Sequence, residues 1–187
     1  MKVLSRIVVR RVVIALIIVL LAYIGYSKRL QISARIWHWK YGYSAQVGNY
    51  NVPVPDNWLV LSQGQSDLTL TYVSRKQSLP SAFPVAPMIT ISSLPVAVAN
   101  LDFWKSRQQG LLETDKVRQV EQRTLMVGDE KVICIGGSVA RDVFQVPQSD
   151  LISLECRSSG TLDVMFSGSQ SEVQRFYDIL GEIHRFK

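Results

Sequence analysis

The residue types able to do covalent or metal chemistry are few and widely spaced in this chain of 187 residues. Its two cysteines are Cys134 and Cys156, and its two histidines are His38 and His184. A nucleophilic thiol needs a neighbouring base, and a zinc site needs about three or four Cys, His or carboxylate ligands. No histidine lies near either cysteine in sequence, and His38 has no partner at ligand spacing. Two histidines exclude a His-rich metal site, and no cofactor is implied. Gly136-Gly137-Ser138 is not a phosphate loop, since no Lys-Ser/Thr follows it, nor a nucleophile elbow. A glycine pair inside a strand marks a bulge or a tight contact. Asp129, Glu130 and Asp142 read as solvated turn acids. His184 reads as a structural residue complementing a helix C-terminus. An enzymatic reading, hydrolase-like, requires a cleft gathering several of Asp56, Asp102, Glu121, Glu155 and His184.

The cysteines fit a structural use better than a catalytic one. Cys134 falls in an apolar strand pattern from Lys131 to Arg141, and Cys156 in another from Ile152 to Arg157. Paired about the intervening loop, Asp142 to Asp150, these strands place both cysteines at equal distance from Gln145, hence directly opposite one another. Opposed Cβ atoms stand about 4.5–5.5 Å apart, close to what a disulfide requires. Closing a loop of about 20 residues would stabilise the fold by about 3 kcal/mol. The alternative is two buried free thiols acting as small hydrophobes. A disulfide belongs with a domain outside the cytoplasm.

The elements that would hold such a pair begin with a segment of different character. Val12 to Tyr26 carries no charge, and with Ile7-Val8-Val9 it makes a run of about 20 residues, enough for a helix of about 30 Å. The lipid bilayer is therefore the expected partner of residues 7–26. Arg10 and Arg11 in its first turns can snorkel to the headgroups. A cleaved signal peptide is the competing reading, but Gly25-Tyr26-Ser27-Lys28-Arg29 offers no small-x-small cleavage pattern. An uncleaved signal-anchor is the expectation, spanning residues 1–27. Lys2, Arg6, Arg10 and Arg11 precede it and Lys28, Arg29, Arg35 and Lys40 follow it. With the amino terminus, this slightly favours a cytoplasmic N-terminus.

Residues 28–44 form a basic, aromatic juxtamembrane segment. Trp37, Trp39, Tyr41 and Tyr43 interleave with Arg35, His38 and Lys40. Such side chains suit the headgroup layer, and with Arg10, Arg11, Lys28 and Arg29 they form a candidate membrane interface. The segment equally reads as a helical extension whose aromatics pack onto the domain.

The formal net charge of +6 suggests nucleic acid, but the basic residues are concentrated at the N-terminus. Residues 1–40 hold eight Lys or Arg and no acid. The remaining 13 basic and 15 acidic residues leave the rest at −2. That domain lacks the cationic footprint of a phosphate binder.

Residues 45–187 pattern as one globular domain. Strands are predicted over Tyr50–Val54, Trp58–Ser62, Leu68–Ser74, Met88–Leu94, Val117–Val127, Lys131–Arg141, Ile152–Arg157 and Leu162–Ser167. Three prolines make Lys76 to Pro87 a loop. Asn100 can cap a helix from Leu101 to about Asp115, which Gly110 weakens. Ser169-Gln170-Ser171-Glu172 has the form of a capping box. The stripe Val173, Phe176, Tyr177, Leu180 and Ile183 then predicts a terminal helix with one buried face.

This order makes an α+β domain, an antiparallel sheet flanked by two helices, preceded by a transmembrane helix. It resembles the PsbP-like fold, known from the extrinsic photosystem II protein, a Ran-binding relative and small bacterial envelope lipoproteins. The resemblance rests on Tyr50-Asn51-Val52-Pro53-Val54-Pro55-Asp56-Asn57-Trp58, on Leu162 to Gly168, and on Phe176-Tyr177-Asp178-Ile179-Leu180-Gly181-Glu182-Ile183, and it covers most of residues 48–186. It implies a binding module without catalysis and transfers no functional residue. An anchor helix stands in place of a lipidated cysteine. The expectation is a single-pass protein of a bacterial inner membrane whose extracytoplasmic domain binds a protein partner as accessory to an envelope complex. A purely structural tether is the further alternative.

Overall fold

The computed structural model describes residues 2–73, 87–97, 100–114, 120–138 and 151–186. Helix α1 (Lys2–Ser27) is followed by α2 (Arg29–Tyr41), β1 (Ser44–Val47), β2 (Tyr50–Pro53), β3 (Trp58–Gln63), β4 (Asp67–Tyr72) and β5 (Met88–Ser93). Helix α3 (Leu101–Thr114) leads to β6 (Val120–Val127), β7 (Glu130–Ser138), β8 (Leu151–Ser158) and β9 (Leu162–Ser169). A 3-10 turn (Gln170–Glu172), α4 (Val173–Glu182) and β10 (His184–Arg185) complete it. The expected loop over 76–86, the strand ends at 74, 117–119 and 139–141, the helix end at 115 and the turn 142–150 lie outside the described residues.

Seven strands form one antiparallel sheet in the order β3-β4-β5-β9-β8-β7-β6. Alternation along them builds two faces. Leu68, Leu70, Ile89, Ile91, Val164, Phe166, Leu154, Cys156, Cys134 and Val132 point to one side and are buried together. Alpha-helix α4 closes that side through Val173, Phe176, Tyr177 and Leu180, the stripe predicted from spacing, with Phe176 stacked on Phe166 at 4.9 Å between ring centroids. A second antiparallel sheet, β1-β2-β10, adds Ala45, Val47, Tyr50 and Val52 to the same core. Strands β1 and β10, of four and two residues, are not among those predicted from the sequence pattern.

On the outer face Ile133 and Ile135 pack against Trp104 of α3. Asn100 caps α3 as expected, accepting the Phe103 N–H through Oδ1 at 2.9 Å. The capping box does not form. Ser169 Oγ pairs with Ser171 Oγ at 2.8 Å, Glu172 holds Arg175 at 3.1 Å, and the 3-10 turn takes the place of a side-chain cap. Among the described residues three helices pack on the domain rather than two, because α2 lies along β3. His184 lies just past α4, which ends at Glu182; its Nδ1 stands 3.2 Å from the Glu182 carbonyl oxygen at that helix C-terminus, and it pairs with Asn51 of β2.

Candidate functional site

The predicted facing of the cysteines is met. Cys134 and Cys156 are register partners on β7 and β8, joined through their sulfurs, with Cα atoms 3.9 Å apart. Both are fully buried in the core under α4. Next to them Gly136 lies against β8 so closely that a Cβ there would meet the Ser153 carbonyl oxygen and stand 2.8 Å from Leu154 Cα. The glycine pair thus includes a tight contact in continuous register.

The residues named for a dispersed hydrolase site sit on different elements. Glu121 pairs with Gly136 and so faces the α4 side. Glu155 pairs with Ile135 and faces the α3 side. The two carboxylates are separated by the sheet itself. Asp56 is exposed in the turn before β3, Asp102 in the first turn of α3, and His184 on the small sheet. Glu155 docks α3: its oxygens accept from Trp104 Nε1 at 3.3 Å and Gln108 Nε2 at 2.9 Å, and it forms an ion pair with Arg157 Nε at 3.2 Å. Arg157 also reaches Asp163 at 3.1 Å. Burial raises the pKa of Asp163, against the opposing pull of Arg157.

On the α4 side, Arg123 lies over the Tyr177 ring at 4.5 Å. Burial first, then the Glu121 carboxylate, raises the Tyr177 pKa. Glu121 acts beyond hydrogen-bond geometry, for Tyr177 Oη has no hydrogen-bond partner among the described residues. Among those residues no group of three or more His, Cys, Asp or Glu is placed to hold a metal.

No protein-family model matches this chain, and no curated protein does. Similar solved structures include the Ran-binding protein Mog1p of Saccharomyces cerevisiae, at TM-score 0.44 and 9% identity, covering 74% of this chain and 90% of that one. The cyanobacterial PsbP of Synechocystis sp. PCC 6803 matches at TM-score 0.43 and 13% identity, over 77% of this chain and 91% of that one. A Pseudomonas aeruginosa protein of unknown function matches at 0.41 and 13%, over 77% and 96%. A solved PsbP thus stands among the structural neighbours of a sequence that resembles the PsbP-like fold. At these scores the likeness concerns the chain trace, and no activity or partner follows from it.

The surface that remains is at the N-terminal end. Within α1, Arg10–Ser27 is long and apolar enough to cross a membrane, and its side chains from Val12 to Tyr26 are largely exposed. Helical hydrogen bonds continue across Lys28, from Lys28 N to Ile24 O at 3.0 Å and from Ile32 N to Lys28 O at 2.9 Å. Arg29 covers the Tyr26 ring at 4.8 Å. Helix α2 then buries Ala34 against Leu59 and Val73, with Trp37 packed on both cores. His38, expected in a wet interface, is 8% exposed. Its Nδ1 lies 2.9 Å from the Gly42 carbonyl oxygen and its Nε2 3.2 Å from that of Trp58. Gly42 takes φ 82° to end the helix and returns its N–H to His38 O at 2.8 Å. Of the four juxtamembrane aromatics, Trp37 is half-buried, while Trp39, Tyr41 and Tyr43 stay exposed, as do Arg10, Arg11 and Arg29; Lys28 is half-buried. The signal for α2's inner face was its spacing, since Ala34, Trp37 and His38 recur at i, i+3 and i+4.

Proposed function

We propose that this chain is a single-pass, membrane-anchored binding or assembly module, without catalysis, whose domain faces the extracytoplasmic side and serves a protein complex of the envelope. The observation that carries the reading is the join at Lys28. An exposed apolar helix continues by hydrogen bonds into one whose other face is packed into the domain core. A cleavable leader has no reason to continue into a docked helix, whereas a tether that sets the height of its cargo does. The span is residues 7–26, with the N-terminus in the cytoplasm of a bacterial inner membrane. Two further supports are the buried Cys134–Cys156 pair, which suits an oxidising compartment, and the near-neutral, slightly acidic composition of the domain.

The test is fractionation joined to capture. The full chain is expected to resist alkaline carbonate extraction, to expose its domain to protease only from the extracytoplasmic face, and to retain a discrete protein partner after mild detergent and crosslinking. Release by carbonate sinks the anchoring, and the absence of any partner above background sinks the assembly role.

A further inference from the structure

The docked helix α2 has a second face that the domain leaves uncovered. Ile32 is 45% exposed, Ile36 56% and Trp39 88%. At 3.6 residues per turn these three fall within an arc of about 60°. Lys28 and Arg35 border that arc on one flank, Arg29 and Lys40 on the other, while Ala34, Trp37 and His38 occupy the opposite side. The first acidic residue in the chain is Asp56, so nothing negative lies on this helix or on the span before it. At Lys28 the backbone departs from ideal helical geometry (φ −105°, ψ 7°) while the helical hydrogen bonds run through, so α2 begins at a local distortion just past the apolar run.

We infer that the outer face of α2 is a lipid-docking surface for an anionic bilayer, seating Ile32, Ile36 and Trp39 among the headgroups while its inner face carries the domain. The inference rests on the anchored reading above and deepens it. Three features select lipid as the occupant. The stripe is continuous with the candidate span, so it emerges beside the bilayer. Cations on both flanks of an apolar stripe match a layer in which acyl chains lie below and phosphates to either side. Trp39 presents a ring with one polar edge, the side chain that prefers this depth. Each Lys or Arg near an anionic leaflet contributes about fivefold in affinity.

The experiment uses the full chain reconstituted in vesicles of phosphatidylcholine, alone or mixed with phosphatidylglycerol. Nitroxide labels are placed by Ile36→Cys and Trp39→Cys, with Asp56→Cys as the exposed control. Labels at 36 and 39 are expected to favour collisions with oxygen over a nickel reagent, and the label at 56 the reverse. In the anionic vesicles, Arg35→Glu and Lys40→Glu are expected to shift the docked-to-undocked ratio about fivefold or more each. Unsubstituted protein supplies a second reading: brominated lipid should quench its fluorescence, and Trp39→Phe should remove most of that quenching. Water-like accessibility at 36 and 39 in both vesicles overturns the inference. So does low access to both reagents, which marks a protein cover, and so does quenching unchanged by Trp39→Phe. If the chain stays in the vesicles under carbonate while its labels are wet, this inference alone fails; if the chain is stripped off, the anchoring has failed first.

Discussion

The Tyr50 hydroxyl donates to both oxygens of Glu130, at 2.9 and 3.1 Å, across 80 residues of sequence. The same hydroxyl meets Thr161 Oγ1 at 3.0 Å and accepts the Thr161 N–H at 3.3 Å. One side chain of the small sheet thereby ties together the β6–β7 and β8–β9 turns of the large one. Glu130 is buried, and Arg185 approaches it at 3.5 Å. Tyr50→Phe leaves a buried carboxylate short of its donor and is expected to cost about 1–3 kcal/mol. Arg185→Ala, removing a half-exposed partner, should cost about 1 kcal/mol or less. Denaturant unfolding of the detergent-solubilised chain measures both; equal effects would refute the ranking.

The tyrosines also set a limit at alkaline pH. Burial raises the pKa of Tyr50, aided by Glu130 against the opposing Thr161 bonds, and burial with Glu121 raises that of Tyr177, both from 10.0. The folded state then holds protons that the unfolded chain releases, so the stabilisation is whole below pH 10 and is lost as pH rises through the folded values. Thermal midpoints should be flat in this respect near neutrality and fall above pH 10. Tyr177→Phe should flatten the fall; an unaltered slope in both Tyr177→Phe and Tyr50→Phe would remove the explanation.

Why some of this was legible from residues alone follows from range. The Cys134–Cys156 register needs only alternation and the midpoint of one loop, both local. The α4 stripe needs only helical spacing, which is why Val173, Phe176, Tyr177, Leu180 and Ile183 all proved buried. The Tyr50–Glu130 link was invisible because it joins residues far apart through side chains, and Glu130 read as a solvated turn acid. Glu155 misled for the same reason: its donors Trp104 and Gln108 come from α3, which nothing in the local pattern places over β8. Ser169 to Glu172 fitted a capping box by type, yet side-chain pairs with Ser171 and Arg175 won.

Joining β7 to β8 through Cys134 and Cys156 closes a separation of 22 residues. In the chain-entropy account this contributes about 3 kcal/mol. Reduction, or Cys134→Ser with Cys156→Ser, should lower the unfolding midpoint accordingly. Because both sulfurs are buried, reductant should act on the native protein only as fast as it opens. Thiol labelling with and without denaturant reads this out. Labelling of denatured, unreduced protein would show that no bond had formed.

Gly136 gives a test of the close strand approach. A methyl group there points at the Ser153 carbonyl oxygen and the Leu154 backbone, neither of which can rotate away. Gly136→Ala is expected to cost about 3 kcal/mol, the upper end of ordinary overpacking. Gly128→Ala supplies the contrast. Nothing lies within 4 Å of a Cβ at that position, and only its φ of 61° opposes the change, so about 1–2 kcal/mol is expected. Matching losses would mean that the β7–β8 spacing is looser than described.

Ala34 is where the tether meets its cargo, and it separates docking from folding. Its methyl group is 2% exposed, between α2 and the pair Leu59 and Val73. Ala34→Phe cannot be housed there without lifting α2 from β3. The large-sheet core beneath α4 does not include this contact, since Ala34, Leu59 and Val73 form a cluster of their own joined to it by Trp37. The variant should therefore keep its disulfide and most of its stability, losing about 1–3 kcal/mol, while amide exchange through residues 29–41 accelerates far more than exchange in β7, β8 and β9. His38→Ala, which removes the bridge to the Trp58 carbonyl, should reproduce that pattern more weakly. Uniform acceleration over the whole domain would mean instead that α2 is an integral part of the fold, and that its role as a separable clamp between membrane and domain is wrong.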